Sequence, residues 1–109
     1  MVIEFTSRFE KELQKVFSKS EAKKIVQKLL KTKPTDGKFI SIVANILIRE
    51  RKEGSFRFYF IQRNTDVRFL TSEELSLHIL RFIELSKKNN QQNVIDRLKK
   101  DLEKAGVDF

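Results

Sequence analysis

Nine residues, Ser55 to Arg63, constrain the fold of this chain more than any other stretch: Ser-Phe-Arg-Phe-Tyr-Phe-Ile-Gln-Arg. In a β-strand successive side chains alternate sides, so Phe56, Phe58 and Phe60 share one face and Arg57, Tyr59, Ile61 and Arg63 share the other. Three phenylalanines make a core face. Two arginines and a tyrosine on the opposite face are harder to explain by packing alone. A guanidinium grips phosphate with a planar fork, and a phenol can stack on a base or handle a proton. The segment therefore raises nucleic acid as a ligand.

A chain of 109 residues supports one core and not two, so a single domain spanning 1–109 is expected. Ten phenylalanines and no tryptophan put most of the aromatic mass inside. The absence of cysteine excludes thiol chemistry, zinc ribbons and disulfides. A lone His78 argues against a histidine metal site or a Ser-His-Asp triad, so no metal and no cofactor are expected. There is no long apolar run and no signal-type N-terminus, which implies a cytoplasmic protein without a membrane partner.

The net charge is +8, and its placement matters more than its size. Residues 8–33 hold nine basic side chains against three acidic ones, a net of +6. Such a field favours polyanions and speeds their encounter. The competing reading is a set of helices solubilised by lysine. Lys24, Lys28 and Lys31 form one stripe of this segment and are candidate contacts to backbone phosphates.

Along the chain, Val2-Ile3-Glu4-Phe5 reads as a first strand, and Ser7-Arg8-Phe9-Glu10 as a capping box with Ser7 as N-cap. Phe9, Leu13, Val16 and Phe17 follow at helical spacing. Ser18-Lys19-Ser20-Glu21 repeats the cap signature before a second helix with Ala22, Ile25, Val26, Leu29 and Leu30 on its apolar face. Lys33-Pro34-Thr35-Asp36-Gly37 ends it. Residues 39–51 read as one central strand, with Ile40, Ile42, Ala44, Ile46 and Ile48 on one face. Residues 52–55 form a turn, the Phe/Arg strand follows, and Asn64-Thr65 turns into a short strand, Val67 to Leu70. Thr71-Ser72-Glu73-Glu74 offers a third capping box, and Leu75, Ile79 and Phe82 favour a helix over a competing strand reading. Residues 87–92 are a polar connector, and Val94, Ile95, Leu98 and Leu102 mark a last helix ending near Gly106.

The expected class is α+β, in the order β-α-α-β-β-β-α-α. An antiparallel sheet packs against an N-terminal helical hairpin, with the C-terminal helices added. An antiparallel meander can leave one face open, and arginines lining that face would make it a binding surface.

This order, with the run from Ile46 through Arg49-Glu50-Arg51-Lys52-Glu53-Gly54 to Phe60, resembles the RelE/ParE superfamily of bacterial and archaeal toxins. The resemblance covers roughly residues 2–70 in topology and charge. Phe82-Ile83 followed by Lys87-Lys88 is a weaker echo of the HigB-like branch. Membership would imply a toxin-type protein acting on RNA at the ribosome, as a metal-independent endoribonuclease of mRNA, with an acidic antitoxin-like protein as partner. In that chemistry a 2′-hydroxyl attacks the adjacent phosphate while basic groups offset the developing charge. By position, Arg57 matches the family's arginine after the glycine turn, and Tyr59 is the phenol beside it. Arg49 and Arg51 match basic positions on the preceding strand.

Two readings compete with an enzyme: a non-enzymatic basic protein that binds nucleic acid, and a structural or interaction subunit of a toxin–antitoxin-like complex. Arg57 and Arg63 equally suit solvated strand positions or pairing with Glu50 and Glu53 across the hairpin.

Overall fold

The computed structural model describes residues 2–33, 35–43, 45–87 and 92–104. Over these residues it is α+β, with four helices and a mixed five-stranded sheet. The elements run β1 (Ile3–Phe5), α1 (Ser7–Val16), α2 (Lys19–Leu29), β2 (Lys38–Val43), β3 (Ile46–Glu53), β4 (Phe56–Arg63), β5 (Asp66–Leu70), α3 (Ser72–Lys87) and α4 (Gln92–Lys104). Expectations resting on Pro34, Ala44, residues 88–91 and Gly106 lie outside the described residues. Among the described residues no helix is long and apolar enough to cross a membrane.

Three expectations about the sheet are corrected. The run 39–51 is two strands, not one. The chain reverses at Asn45, which sits at φ +66, and Val43 pairs with Ile46 in an antiparallel hairpin. Asparagine tolerates this left-handed backbone better than other non-glycine residues. The split adds a strand to the expected order and makes β2 an edge.

The sheet is also mixed rather than antiparallel, in the order β1-β5-β4-β3-β2. β1 docks on the free side of β5 and runs parallel to it, pairing Ile3 with Val67 and Phe5 with Phe69.

Third, the face carrying Tyr59 is covered. Leu75, Ile79 and Ile83 of α3, with Ile95, Leu98 and Leu102 of α4, form a core with Ile40, Val43, Ile48, Tyr59 and Leu70. The apolar stripes of two more helices had to be buried somewhere, and this face was the available one. Each such side chain fully buried contributes roughly 1.5–3 kcal/mol.

The other face belongs to α1 and α2. Phe9, Leu13, Ala22 and Leu29 pack on Phe58, Phe60, Val67 and Phe69. Phe60 is fully buried, its ring centroid 5.0 Å from that of Phe69. Phe56 is 41% exposed, outside this core, and meets Phe17 edge-on at 4.6 Å.

Threonines cap two helices. The N-cap of α1 is Thr6 rather than Ser7: its hydroxyl accepts from the Phe9 N–H at 3.1 Å. Thr6 is also the residue where β1 ends, its N–H donating to the Phe69 carbonyl at 3.0 Å, so the strand fixes where the helix begins. At the start of α3, Thr71 Oγ1 accepts from the Glu74 N–H while Glu74 Oε1 accepts from the Thr71 N–H, both at 3.1 Å. That reciprocal pair is a capping box. The Thr6 hydroxyl donates to the same Glu74 oxygen at 2.6 Å, tying the entry of α1 to the entry of α3.

Candidate nucleic-acid interface

Cross-strand partners share a face of the sheet. Register therefore decides which basic residues can act together. Arg49 is paired with Phe60 and Arg51 with Phe58, whereas Glu50 is paired with Tyr59 and Lys52 with Arg57. Arg49 and Arg51 thus lie on the α1–α2 face, opposite Arg57, Tyr59 and Arg63. The five do not form one surface.

On the α1–α2 face both arginines are engaged. Arg49 Nε donates to Gln62 Oε1 at 3.3 Å, and the Gln62 amide donates to the Asn64 carbonyl at 3.0 Å. Arg51 hydrogen-bonds the buried hydroxyl of Thr32 and pairs with Glu53 at 3.3 Å. The Arg51–Thr32 bond anchors the chain after α2 to β3, and the Arg49–Gln62 bond ties β3 to β4. Gly37 completes that anchor: it sits at φ +86, and a Cβ there would lie 2.6 Å from the Glu50 carbonyl oxygen.

On the opposite face, Arg57, Glu50 and Tyr59 cluster near the tip of the β3–β4 hairpin. Arg57 Nη1 stands 3.9 Å from Glu50 Oε2; the arginine side chain is 47% exposed and the carboxylate 4%. Burial, then the Glu50 charge, pushes the Tyr59 phenol above its ordinary value of 10.0, against the Arg57 guanidinium, which lowers it by charge and by a hydrogen bond. At neutral pH the phenol is protonated and can donate a proton but not abstract one. It is only 7% exposed, inside the α3–α4 core. Arg57 could reach a phosphate; Tyr59 is placed to hold Arg57. Arg63 sits at the far end of β4, beyond Tyr59 and Ile61, and is exposed.

The basic helices are different. All nine lysines and arginines between Arg8 and Lys33 are exposed. Lys24 and Lys28 lie on α2, and Lys31 just past its end, where the Lys31 N–H still donates to the Lys28 carbonyl at 3.1 Å. Lys28 is 3.7 Å from Glu53, a weak surface pair. Lys24 and Lys31 have no ion pair among the described residues. Arg8, Lys11 and Lys15 add a second exposed set on α1.

Three residues near Arg63 were not among the candidate site residues expected from the sequence. Glu4, Arg68 and His78 line a cleft with it. Arg68 was legible in principle, because a turn at Asn64-Thr65 puts residues 61 and 68 opposite one another. His78 was not, because nothing in the sequence says how α3 crosses the sheet. Comparison with family models, curated proteins and solved structures finds no match to this chain.

Proposed function

We propose that this chain is a RelE-like module that binds single-stranded RNA through its phosphate backbone, using the α1–α2 layer, without cutting it. The observation that carries the reading is the exposure of every basic side chain in a helical segment of net charge +6. Lysines on exposed helix faces contact phosphates as mobile point charges, which gives affinity without sequence preference. The engaged state of Arg49 and Arg51 and the burial of Tyr59 argue against the sheet as a catalytic surface. Binding to a labelled, unstructured RNA, followed by fluorescence anisotropy across a salt series, tests the proposal. Affinity should fall steeply with salt and the RNA should stay intact. Affinity that does not change with salt would remove the reading.

A second reading keeps an endoribonuclease, because Arg57 is half exposed and hydrogen-bonded to a protonated phenol. In it, the 2′-oxygen bonds to phosphorus and gives its proton to water as the bond to the leaving oxygen breaks, while Arg57 offsets charge on the phosphate and Tyr59 protonates the leaving oxygen. Primer extension on translated mRNA after induction separates the two. Codon-spaced cuts that vanish in Arg57→Ala favour the enzyme; uncut message favours the binding module.

A further inference from the structure

The helices α3 and α4 do not cover the whole of their face of the sheet. Beyond α3, towards β1 and β5, a cleft of about 600 Å³ remains, with Ile46 and Ile61 among its apolar residues and Arg63, Arg68, Glu4 and His78 among its polar ones. Its charges are not equivalent. The Arg68 guanidinium donates to Glu4 Oε2 at 3.2 and 3.3 Å, so that pair is satisfied. Asp66, the cross-strand partner of Arg63, accepts from the Val2 N–H at 3.1 Å. The side chains of Arg63 and His78 make no hydrogen bond or ion pair among the described residues.

We infer that this cleft binds a phosphate monoester carried on a flat, largely apolar body, of nucleoside monophosphate size. Arg63 offers a planar fork of donors and His78 a ring N–H, which together suit phosphate oxygens. Ile46 and Ile61, both half-buried, give a ring an apolar surface to lie on. The Arg68–Glu4 pair presents a carboxylate that would repel the phosphate but can accept from a sugar hydroxyl or an exocyclic amine. Glu4 is spent on Arg68, whereas the Asp66 carboxylate beside Arg63 is held by the Val2 N–H and leaves the Arg63 guanidinium available, so the phosphate is placed towards Arg63 and His78 and the hydroxyl or amine towards Glu4. The volume lies in the range of small-molecule sites and exceeds what a bare phosphate fills. The cleft lies across the sheet from α1 and α2, so the inference is independent of the RNA-backbone reading.

The test is calorimetric titration of the full chain with adenosine 5′-monophosphate, adenosine and inorganic phosphate in parallel. The monophosphate should saturate one site and bind more tightly than either fragment. Arg63→Gln should weaken it about tenfold or more, as loss of a charge-assisted hydrogen bond implies. His78→Gln should weaken it less, and a Lys24/Lys28/Lys31→Gln variant should bind it like the parent. Each substitution is at an exposed position, and circular dichroism verifies that the variants fold. Absence of saturable binding overturns the inference, as does binding insensitive to Arg63→Gln or lost in the lysine variant. Phosphate binding as tightly as the monophosphate overturns the apolar half of the ligand, and adenosine doing so overturns the anionic half.

Discussion

Replacing Lys24, Lys28 and Lys31 together by glutamine should flatten the salt dependence of RNA binding by a calculable amount. From Lys24 to Leu29, where α2 ends, a helical rise of 1.5 Å per residue covers about 7.5 Å, and the turn that follows carries Lys31. The stripe offers three cations, and one phosphate contact per lysine gives three contacts. Each phosphate neutralised contributes about 0.7 to the slope of log K against log salt for a single strand and about 0.9 for a duplex. Losing three contacts should therefore make the slope shallower by about 2 with single-stranded RNA and nearly 3 with duplex. Between about 50 and 200 mM salt the parent's advantage over the variant should shrink roughly twentyfold on a single strand. Fluorescence anisotropy at four or so salt concentrations reads this directly, with circular dichroism as the folding check. A control variant that removes three exposed cations from α4 (Arg97, Lys100 and Lys104 to glutamine) lowers net charge equally and should leave the slope near the parent's. If both variants change the slope alike, net charge and not the α2 stripe governs binding, and the interface is wrong. An unchanged slope in the α2 variant refutes it outright.

Tyr59 is the only tyrosine and there is no tryptophan, so near-UV absorbance reports its ionisation alone. Below about pH 10 folded and unfolded chains both keep the phenolic proton. Above it the unfolded chain loses the proton first, so stability should fall as pH rises from 10.0 towards the raised folded value, and Tyr59→Phe should abolish that fall in thermal melts. Phe60→Ala empties a fully buried site against Phe69 and should cost about 3–5 kcal/mol by urea denaturation. Gly37→Ala combines positive φ with a backbone clash at Glu50 and should cost about 2–4 kcal/mol, whereas Gly54→Ala, at φ +60 with open space around it, should cost about 1.

What the sequence reveals and what it hides follow from range. Phe9 and Leu13, one helical turn apart, announce α1, and the alternation from Phe56 to Arg63 announces β4, because each signal is complete within one element. The reversal at Asn45 carries no glycine or proline beside it, and β-branched residues flank it, so the run reads through the turn. The separation of Arg49 and Arg51 from Arg57 was implicit in alternation but needed the β3–β4 register, which residues 54 and 55 fix through the turn. The covering of Tyr59 by α3 and α4 depends on where two later helices dock, and periodicity gives their apolar faces without giving their destination. The α+β class is legible over residues 2–70, but which part of the sheet stays uncovered is decided by residues 72–104.

The parallel pairing of β1 with β5 joins residues 64 positions apart, Ile3 to Val67, while β2 through β5 are linked by successive hairpins. Neighbouring hairpins close quickly and a pairing of that span closes late. During synthesis α1 and α2 are made before β4 and β5. Until residues 56–70 are made, Phe9, Leu13 and Leu29 have no Phe58, Phe60 or Phe69 to bury against. Until β4 and β5 join them, α1 and α2 form a cationic amphipathic segment with its apolar side uncovered. Its solubility in that interval rests on the same lysines that face outward in the finished fold.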